Sequence, residues 1–340
     1  MRSFASDNHA GAPPEILAAL AAANVDHAPA YGEDAWTQRA AQCFRELLGE
    51  QARAYPVWGG TAANVLALRA TCQPWEGVAC TTVAHIHVHE CGAPERIAGV
   101  KLHPLPTLDG KLAPEQIDPL LASAGDEHAV QLRLVSVAQA TELGTSYTPD
   151  ELRALSDHAH ERGLLLHLDG ARLANAAAFL GVPLRALTTD AGVDVVSFGA
   201  TKLGAIGAEA VVLLREDLAP DFGYLRMQTG QLASKMRFLA AQLVALLTDD
   251  LWLRLASHAN AMAARLAAGA AAVPGVRITQ PVESNHVFAC LPHAAIAPLQ
   301  KQWPFYVWDA GRDEVRWLCS WDTTAQEVDD FIAALGDACG

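Results

Sequence analysis

Basic charge is scarce in this chain, and lysine is scarcer still. The 340 residues carry 24 Lys and Arg against 38 Asp and Glu, a formal net charge of −14. Nucleic acid and anionic membranes are therefore poor partners, since both recruit basic surfaces. The balance does not exclude an anionic substrate, because a local basic site can sit in an acidic protein. Paired cysteines are missing too. Cys43, Cys72, Cys80, Cys91, Cys290, Cys319 and Cys339 are odd in number, scattered and never spaced as CxxC. That argues for reduced thiols rather than a disulfide framework or a structural zinc site. Long apolar runs are absent: Ala-rich stretches such as residues 16–23 are too short to span a bilayer. The opening MRSFASDNHAG has no apolar signal core. These absences give the expectation of a cytoplasmic protein. No fixed-period repeat or low-complexity linker interrupts the chain.

What is present is the composition of a soluble globular protein, 51% hydrophobic and 18% charged. Apolar strand-like runs alternate with helical stretches. Strands are expected at 52–58, 78–82, 132–137, 164–169, 193–198 and 209–214. Helices are expected at 14–23, 35–48 with Asp34 as N-cap, from 62, 149–162 and 173–180. This is an α/β pattern with a mostly parallel sheet. The run at 209–214 follows a tight Gly-rich turn, so it is expected to be antiparallel or at an edge. The rhythm changes after about residue 235. Helices at 235–247 and 250–272 precede short strands near 276–278, 287–289, 306–308 and 315–319, and a closing helix at 324–335. The expected organisation is a large domain of residues 1–245 and a smaller α+β C-terminal domain of residues 246–340.

Two stretches organise the chemistry: residues 164–172 (LLLHLDGAR) and 193–204 (VDVVSFGATKLG). Each is an apolar run ending in a polar cluster, and active sites of open parallel sheets lie beyond the strands' carboxyl ends. Asp169 and Arg172 would then share a crevice with Lys202. Their separation, one strand-helix-strand unit, suits neighbouring parallel strands. Lys202 is one of only five lysines and is flanked by Gly199 and Gly204. Alone it reads best as a solvated loop cation. Asp169 alone reads as a turn residue and Arg172 as a helix-surface cation. Together, a lysine that can form a Schiff base and a carboxylate that can hold a pyridine nitrogen point to pyridoxal 5'-phosphate (PLP).

Other residues add to this. Gly59-Gly60-Thr61-Ala62-Ala63-Asn64 lies between a strand and a helix, where small residues and a helix N-terminus can cradle phosphate. Ordinary strand-to-helix turns use the same residues, so this signal is weak. His85, His87 and His89 alternate beside Glu90. On a strand they would share a face and could bind zinc, but a single ring stacked on a cofactor is the preferred role, for His85; no metal is expected. His128 in GDEHA reads alone as a surface histidine. Arg316, among apolar residues in VRWLCSWD, needs an anion: a substrate carboxylate or a core acid.

In combination these motifs resemble the PLP-dependent low-specificity L-threonine aldolases, of the aspartate-aminotransferase-like fold (fold type I). The matching residues run from the N-terminus to about residue 325. They are Ser6-Asp7-Asn8, Tyr31-Gly32-Glu33-Asp34, Gly60-Thr61-Ala62-Ala63-Asn64, Ala84-His85 with Glu90-Cys91-Gly92-Ala93-Pro94-Glu95, His167-Leu168-Asp169-Gly170-Ala171-Arg172, Thr201-Lys202 and residues 230–237 (GQLASKMR). The resemblance implies that Lys202 carries the cofactor, Asp169 meets the pyridine nitrogen and His85 stacks on the ring. Gly60, Thr61 and Ala62 would bind the phosphate. Ser6, Arg172 and Arg316 would hold the substrate carboxylate. His128 matches a histidine near the substrate hydroxyl, and Tyr31 and Lys235 or Arg237 match residues that cross from a neighbouring subunit. A homodimer or homotetramer with active sites between subunits is implied. Three departures concern fine substrate preference: Ala138-Gln139 for a Glu-Asn pair, Leu203 for a glycine after the lysine, and Asn8-His9 for Asn-Tyr.

The implied reaction is retro-aldol cleavage of β-hydroxy-α-amino acids (L-threonine, L-allo-threonine, phenylserine) to glycine and an aldehyde, with His85 or His128 as base. The rivals are another fold type I reaction, β-elimination or transamination, and a non-catalytic PLP-binding protein.

Overall fold

Seven strands form the larger sheet in the computed structural model, which describes residues 2–340. They are β1 (Arg53–Val57), β2 (Glu76–Thr81), β3 (Lys101–Leu105), β4 (Gln131–Ala138), β5 (Leu165–Gly170), β6 (Val195–Gly199) and β7 (Glu209–Leu213), in the order β1-β7-β6-β5-β4-β2-β3. From β3 to β6 every pairing is parallel. β7 is antiparallel to both β1 and β6, so it is an interior strand rather than an edge. The short turn before it leaves no room for a crossover. β5 is buried along its whole length, as a strand covered on both faces must be. Its one polar ring inside the sheet, His167, is satisfied sideways: Nδ1 meets Ser136 Oγ at 2.8 Å and Nε2 meets Ser197 Oγ at 2.9 Å. β3 was not foreseen. Its sequence KLHPL is half exposed and holds Pro104, tolerated because β3 is an edge.

Local signals set the helix ends. Asp34 caps the helix Ala35–Leu48 by accepting the Thr37 N–H at 2.8 Å. Thr148 and Glu151 form a reciprocal capping box at the start of Pro149–Glu161. The stretch HIHVHEC is not a strand, the one arrangement in which its three imidazoles would share a face. His85–Val88 is a helical turn, with the Val88 and His89 N–H groups bonded back to Ala84 and His85. Residues four apart share a helix face. His85 and His89 therefore adjoin, 5.7 Å between rings, while His87 is exposed. The three imidazoles do not converge.

A second sheet holds β8 (Arg277–Ile278), β9 (His286–Cys290), β10 (Tyr306–Asp309) and β11 (Glu314–Leu318), antiparallel in the order β10-β11-β9-β8. The helix His293–Gln302, unforeseen, packs beside the closing helix Ala325–Cys339 on this sheet's core. Two elements tie the cores together. The helix Leu251–Ala271 gives Leu251, Trp252 and Leu255 to the larger core and Ala263, Leu266 and Ala270 to the smaller. Phe4 is buried in the smaller core, its N–H donating to Pro304 O and its carbonyl accepting the Leu318 N–H. The N-terminal segment is thereby carried across the ends of β5 and β6.

Candidate active site

The carboxyl ends of β5 and β6 approach so closely that only glycine fits between them. A Cβ on Gly199 would lie 2.6 Å from the Ala171 backbone. Beyond Gly199 the chain turns through Thr201–Leu203, which carries Lys202, and leaves through Gly204 at φ 114°. Asp169 and Lys202 thus open into one cavity of about 350 Å³, with Asn8, Gly59, Gly60, Thr61 and His85 also on its wall. The helix Gly60–Thr71 begins at this wall with Gly59 as its N-cap, so its free N–H groups face the cavity.

Asp169 is buried and held on two sides. Asn64 Nδ2 donates to its Oδ2 at 2.8 Å, and the Ala171 N–H donates to its Oδ1 at 3.0 Å. Burial alone would raise this carboxyl, yet the Lys202 charge, nearby His167 and His85 and the Asn64 bond hold it below the ordinary range. Lys202 moves down: burial and the Arg172 charge outweigh Asp7, Asp169 and Glu209. A buried amine shifted this way is a better nucleophile at neutral pH. Asn64 Nδ2 also donates to Glu90 Oε1 at 2.8 Å, which accepts His85 Nδ1 at 2.8 Å. Since Nδ1 must carry the proton to bond a carboxylate, Nε2 is the nitrogen of His85 left for the cavity.

A second cavity of about 700 Å³ adjoins the first, sharing Asn8, His85 and Lys202. Ser6, Arg172 and Arg316 line it, with His89, Tyr306 and Trp308. Arg172 is clamped by Asp7, its Nε to Oδ2 at 2.7 Å and Nη2 to Oδ1 at 2.9 Å. Asn285 donates to the same carboxylate. Asp7 is held low despite its burial, by Arg172, Lys202 and Asn285. Arg316 has no carboxylate partner among the described residues. Its guanidinium lies over the Tyr306 and Trp308 rings, at 5.4 and 5.3 Å, and its Nε is buried without a hydrogen-bond partner. Burial and the like charge of Arg172 push it down to about 10. A buried cation with no anion is a prepared anion site.

The single chain gathers Lys202, Asp169, His85, Gly60, Thr61, Ser6, Arg172 and Arg316 around the two cavities. Ala62 sits in the first turn of the helix beside Thr61 but outside the cavity wall. Two expected site residues lie outside both cavities of the single chain. His128 is exposed in the turn before β4, at the amino end of the sheet, while both cavities lie at the carboxyl ends. Its own chain does not bring it to Lys202. Tyr31 is exposed and lines neither cavity of its own chain; the place expected for it is a neighbouring subunit's site. The sequence assigns no role to Asn64, Glu90, Asp7 or Glu142, and none to His89 beyond the zinc alternative. Glu142 Oε1 accepts the His85 backbone N–H at 2.8 Å, and burial together with the Asp169 charge pushes its carboxyl up to about 7. Gln139, one of the three departures, is structural: its side chain bonds the Tyr147 backbone twice, closing the loop that carries Glu142.

The residues present suit PLP. The Thr201 hydroxyl is buried on the cavity wall beside Glu209, placed as a phosphate donor would be, and an ionised acid stands in the same cavity as a lysine with a lowered pKa. Comparison with known proteins agrees. Residues 3–293 match the family described as beta-eliminating lyase. The low specificity L-threonine aldolase of Pseudomonas aeruginosa is 48% identical over 96% of this chain and 95% of its own. That of a Pseudomonas species is 46% identical over 98% and 97%. The solved threonine aldolase of Leishmania major superposes with a TM-score of 0.94 at 35% identity, covering all of both chains. The chain belongs to the PLP-dependent beta-eliminating lyase family, among the low-specificity L-threonine aldolases.

Proposed function

We propose that this protein cleaves β-hydroxy-α-amino acids, L-threonine and L-allo-threonine first among them and phenylserine as well, to glycine and an aldehyde. The observation that carries the reading is one continuous site. At one end a lysine and an ionised acid share a cavity; at the other, Arg316 is half-buried, its Nε fully so, without an anion.

Bound PLP supplies an electron sink for the Cα–Cβ bond electrons. Lys202 is the amine that holds it, favoured by a pKa already pushed down. Asp169 would hold the ring nitrogen and its proton, and His85 would cover the ring face. The Gly60, Thr61 and Ala62 turn, with Thr201, would hold the phosphate. Arg316 and Arg172, with Ser6, take the substrate carboxylate, and Asp7 fixes the angle of Arg172. Holding the carboxylate in one plane sets which Cα bond breaks, a positioning effect. His85 Nε2 takes the hydroxyl proton, its ring oriented by Glu90.

Purified Lys202→Ala is expected to release no acetaldehyde or glycine from L-threonine above background. Full activity in that variant would sink the assignment. An oxo acid as product would favour elimination or transamination instead.

The same reading carries a homodimer or homotetramer with shared active sites, and a cytoplasmic location. Exposed Trp58 and Ile206 on the rim of the lysine cavity support assembly. No helix is long and apolar enough to cross a membrane among the described residues. Light scattering on the purified chain tests the assembly.

A further inference from the structure

One carboxyl in the lysine cavity has no place in the reaction above. Glu209 opens β7, paired with Gly199 on one side and Val57 on the other. It is buried, and it lines the same cavity as Gly59, Gly60, Thr61 and Lys202. Its Oε2 accepts the Ala200 N–H at 2.6 Å, which leaves Oε1 free of that bond. An acid here is unexpected, because two anions in one buried site cannot both stay charged.

The groups around Glu209 decide which one yields. The turn after β6 brings Lys202 and the Thr201 hydroxyl, and β5 brings Asp169 to the same cavity. β1 brings the apolar Val57, with Tyr55 beyond it under the Arg226 guanidinium. His85 stands on the cavity wall, and the helix Gly60–Thr71 presents uncharged N–H groups. Only Lys202 is a cation directly opposed to it. Burial outweighs the Ala200 bond, the Thr201 hydroxyl and N–H that also face the carboxyl, and the Lys202 charge, and pushes the Glu209 carboxyl up to about 7. A dianionic neighbour would push it further.

We propose that Glu209 binds the cofactor's phosphate as a neutral acid, so that loading of the apoprotein takes up one proton. Oε2 keeps the Ala200 bond. Oε1 receives a proton from solvent and donates it in a hydrogen bond to a phosphate oxygen. No covalent bond changes. The proposal rests on the phosphate cradle at Gly60 and Thr61 assigned above. Its sign follows from linkage: a group whose pKa is raised by binding favours the complex below that pKa, so affinity falls as pH rises.

The test is binding of PLP, and of pyridoxal, which lacks the phosphate, to apoprotein between pH 6 and 9, read by absorbance. Glu209→Gln keeps a neutral donor at every pH. The ratio of wild-type to Glu209→Gln Kd is expected to rise with pH above about 7, approaching about tenfold per pH unit for PLP. It should stay flat for pyridoxal. Taking the ratio cancels the pH dependence of Lys202, common to both proteins. Glu209→Met, with no donor, should lose PLP affinity at pH 6 as well, which covers the case of an amide variant that fails to fold. A flat PLP ratio, or an equal slope for pyridoxal, would overturn the proposal. Thr61→Val separates the two failures. If it weakens PLP but not pyridoxal while the Glu209 ratio is flat, the cradle stands and Glu209 has no part in it. If neither variant distinguishes the two ligands, the cradle itself is wrong.

Discussion

The lysine cavity and the arginine cleft adjoin, yet they are built by opposite means. The first is made from adjacent parallel strand ends, and its polar groups are cross-linked: Asn64 joins Glu90 to Asp169, and Glu90 joins His85. The second is assembled from parts far apart in the chain. Asp7 comes from the N-terminal segment, Arg172 from the end of β5 and Arg316 from β11 of the other sheet. In the first, charges oppose and satisfy one another. In the second, Arg172 is satisfied by Asp7 while Arg316 is left with aromatic faces and no anion. The contrast suggests a division of labour. The cofactor end is fixed before anything binds; the carboxylate end keeps one cation unpaid for its burial until substrate arrives.

Breaking the single salt bridge that serves the cleft should have the largest effect. Asp7→Asn leaves the Arg172 guanidinium in a largely buried place without its counter-charge. Removing one partner of a buried pair costs about 3–5 kcal/mol, read as a fall in unfolding free energy by denaturant titration. The pH dependence has a definite sign. Because Asp7 is held below its unfolded value, its contribution is present above about pH 4 and is lost as pH falls through the lower folded value. The Asn variant should lack that part of the acid transition. An unchanged acid midpoint would show that the clamp contributes nothing to stability.

On the other side, Asp169→Asn removes a preorganised charge from the cofactor end while nearly preserving shape. A loss on the order of 10²–10³-fold in kcat is expected, with KM for L-threonine little changed. If KM rose instead, Asp169 would belong functionally to the carboxylate cleft and the division would fail.

The same contrast governs what could be read from the residues alone. Lys202, Asp169 and the Gly60-Thr61 turn each stand at the end of an apolar run, where the pattern of a parallel sheet puts chemistry in any case. Asn64 and Glu90 were within the quoted motifs, but their roles depend on side-chain reach, which no spacing rule encodes. The clamp of Arg172 joins residues 165 apart in sequence, and nothing local in Ser6-Asp7-Asn8 announces it. HIHVHEC left its local structure open, because a seven-residue stretch is too brief to tell periods of 2 and 3.6 apart. For His128 a motif match gives a place in the chain, whereas the sheet sends residues before β4 to the end opposite their own chain's site.

Arg316→Leu tests the other half of the comparison, with the smallest effect expected on the protein itself. The variant removes a half-buried cation that makes one long hydrogen bond to Ala5 O and otherwise rests on two rings, so the fold loses little. Its effect should appear in substrate binding. Hydrogen bonds to charged groups are worth about 1.5–3 kcal/mol, so KM for L-threonine is expected to rise about 10- to 100-fold. An amino alcohol lacking the carboxylate, L-threoninol, separates the roles: as a competitive ligand it should bind wild type and Arg316→Leu with similar affinity. If its affinity fell as much as that of L-threonine, Arg316 would act through the shape of the cleft. If stability fell by several kcal/mol with KM unchanged, the arginine would be a structural cation held by Tyr306 and Trp308, and the cleft would have no anion site waiting to be filled.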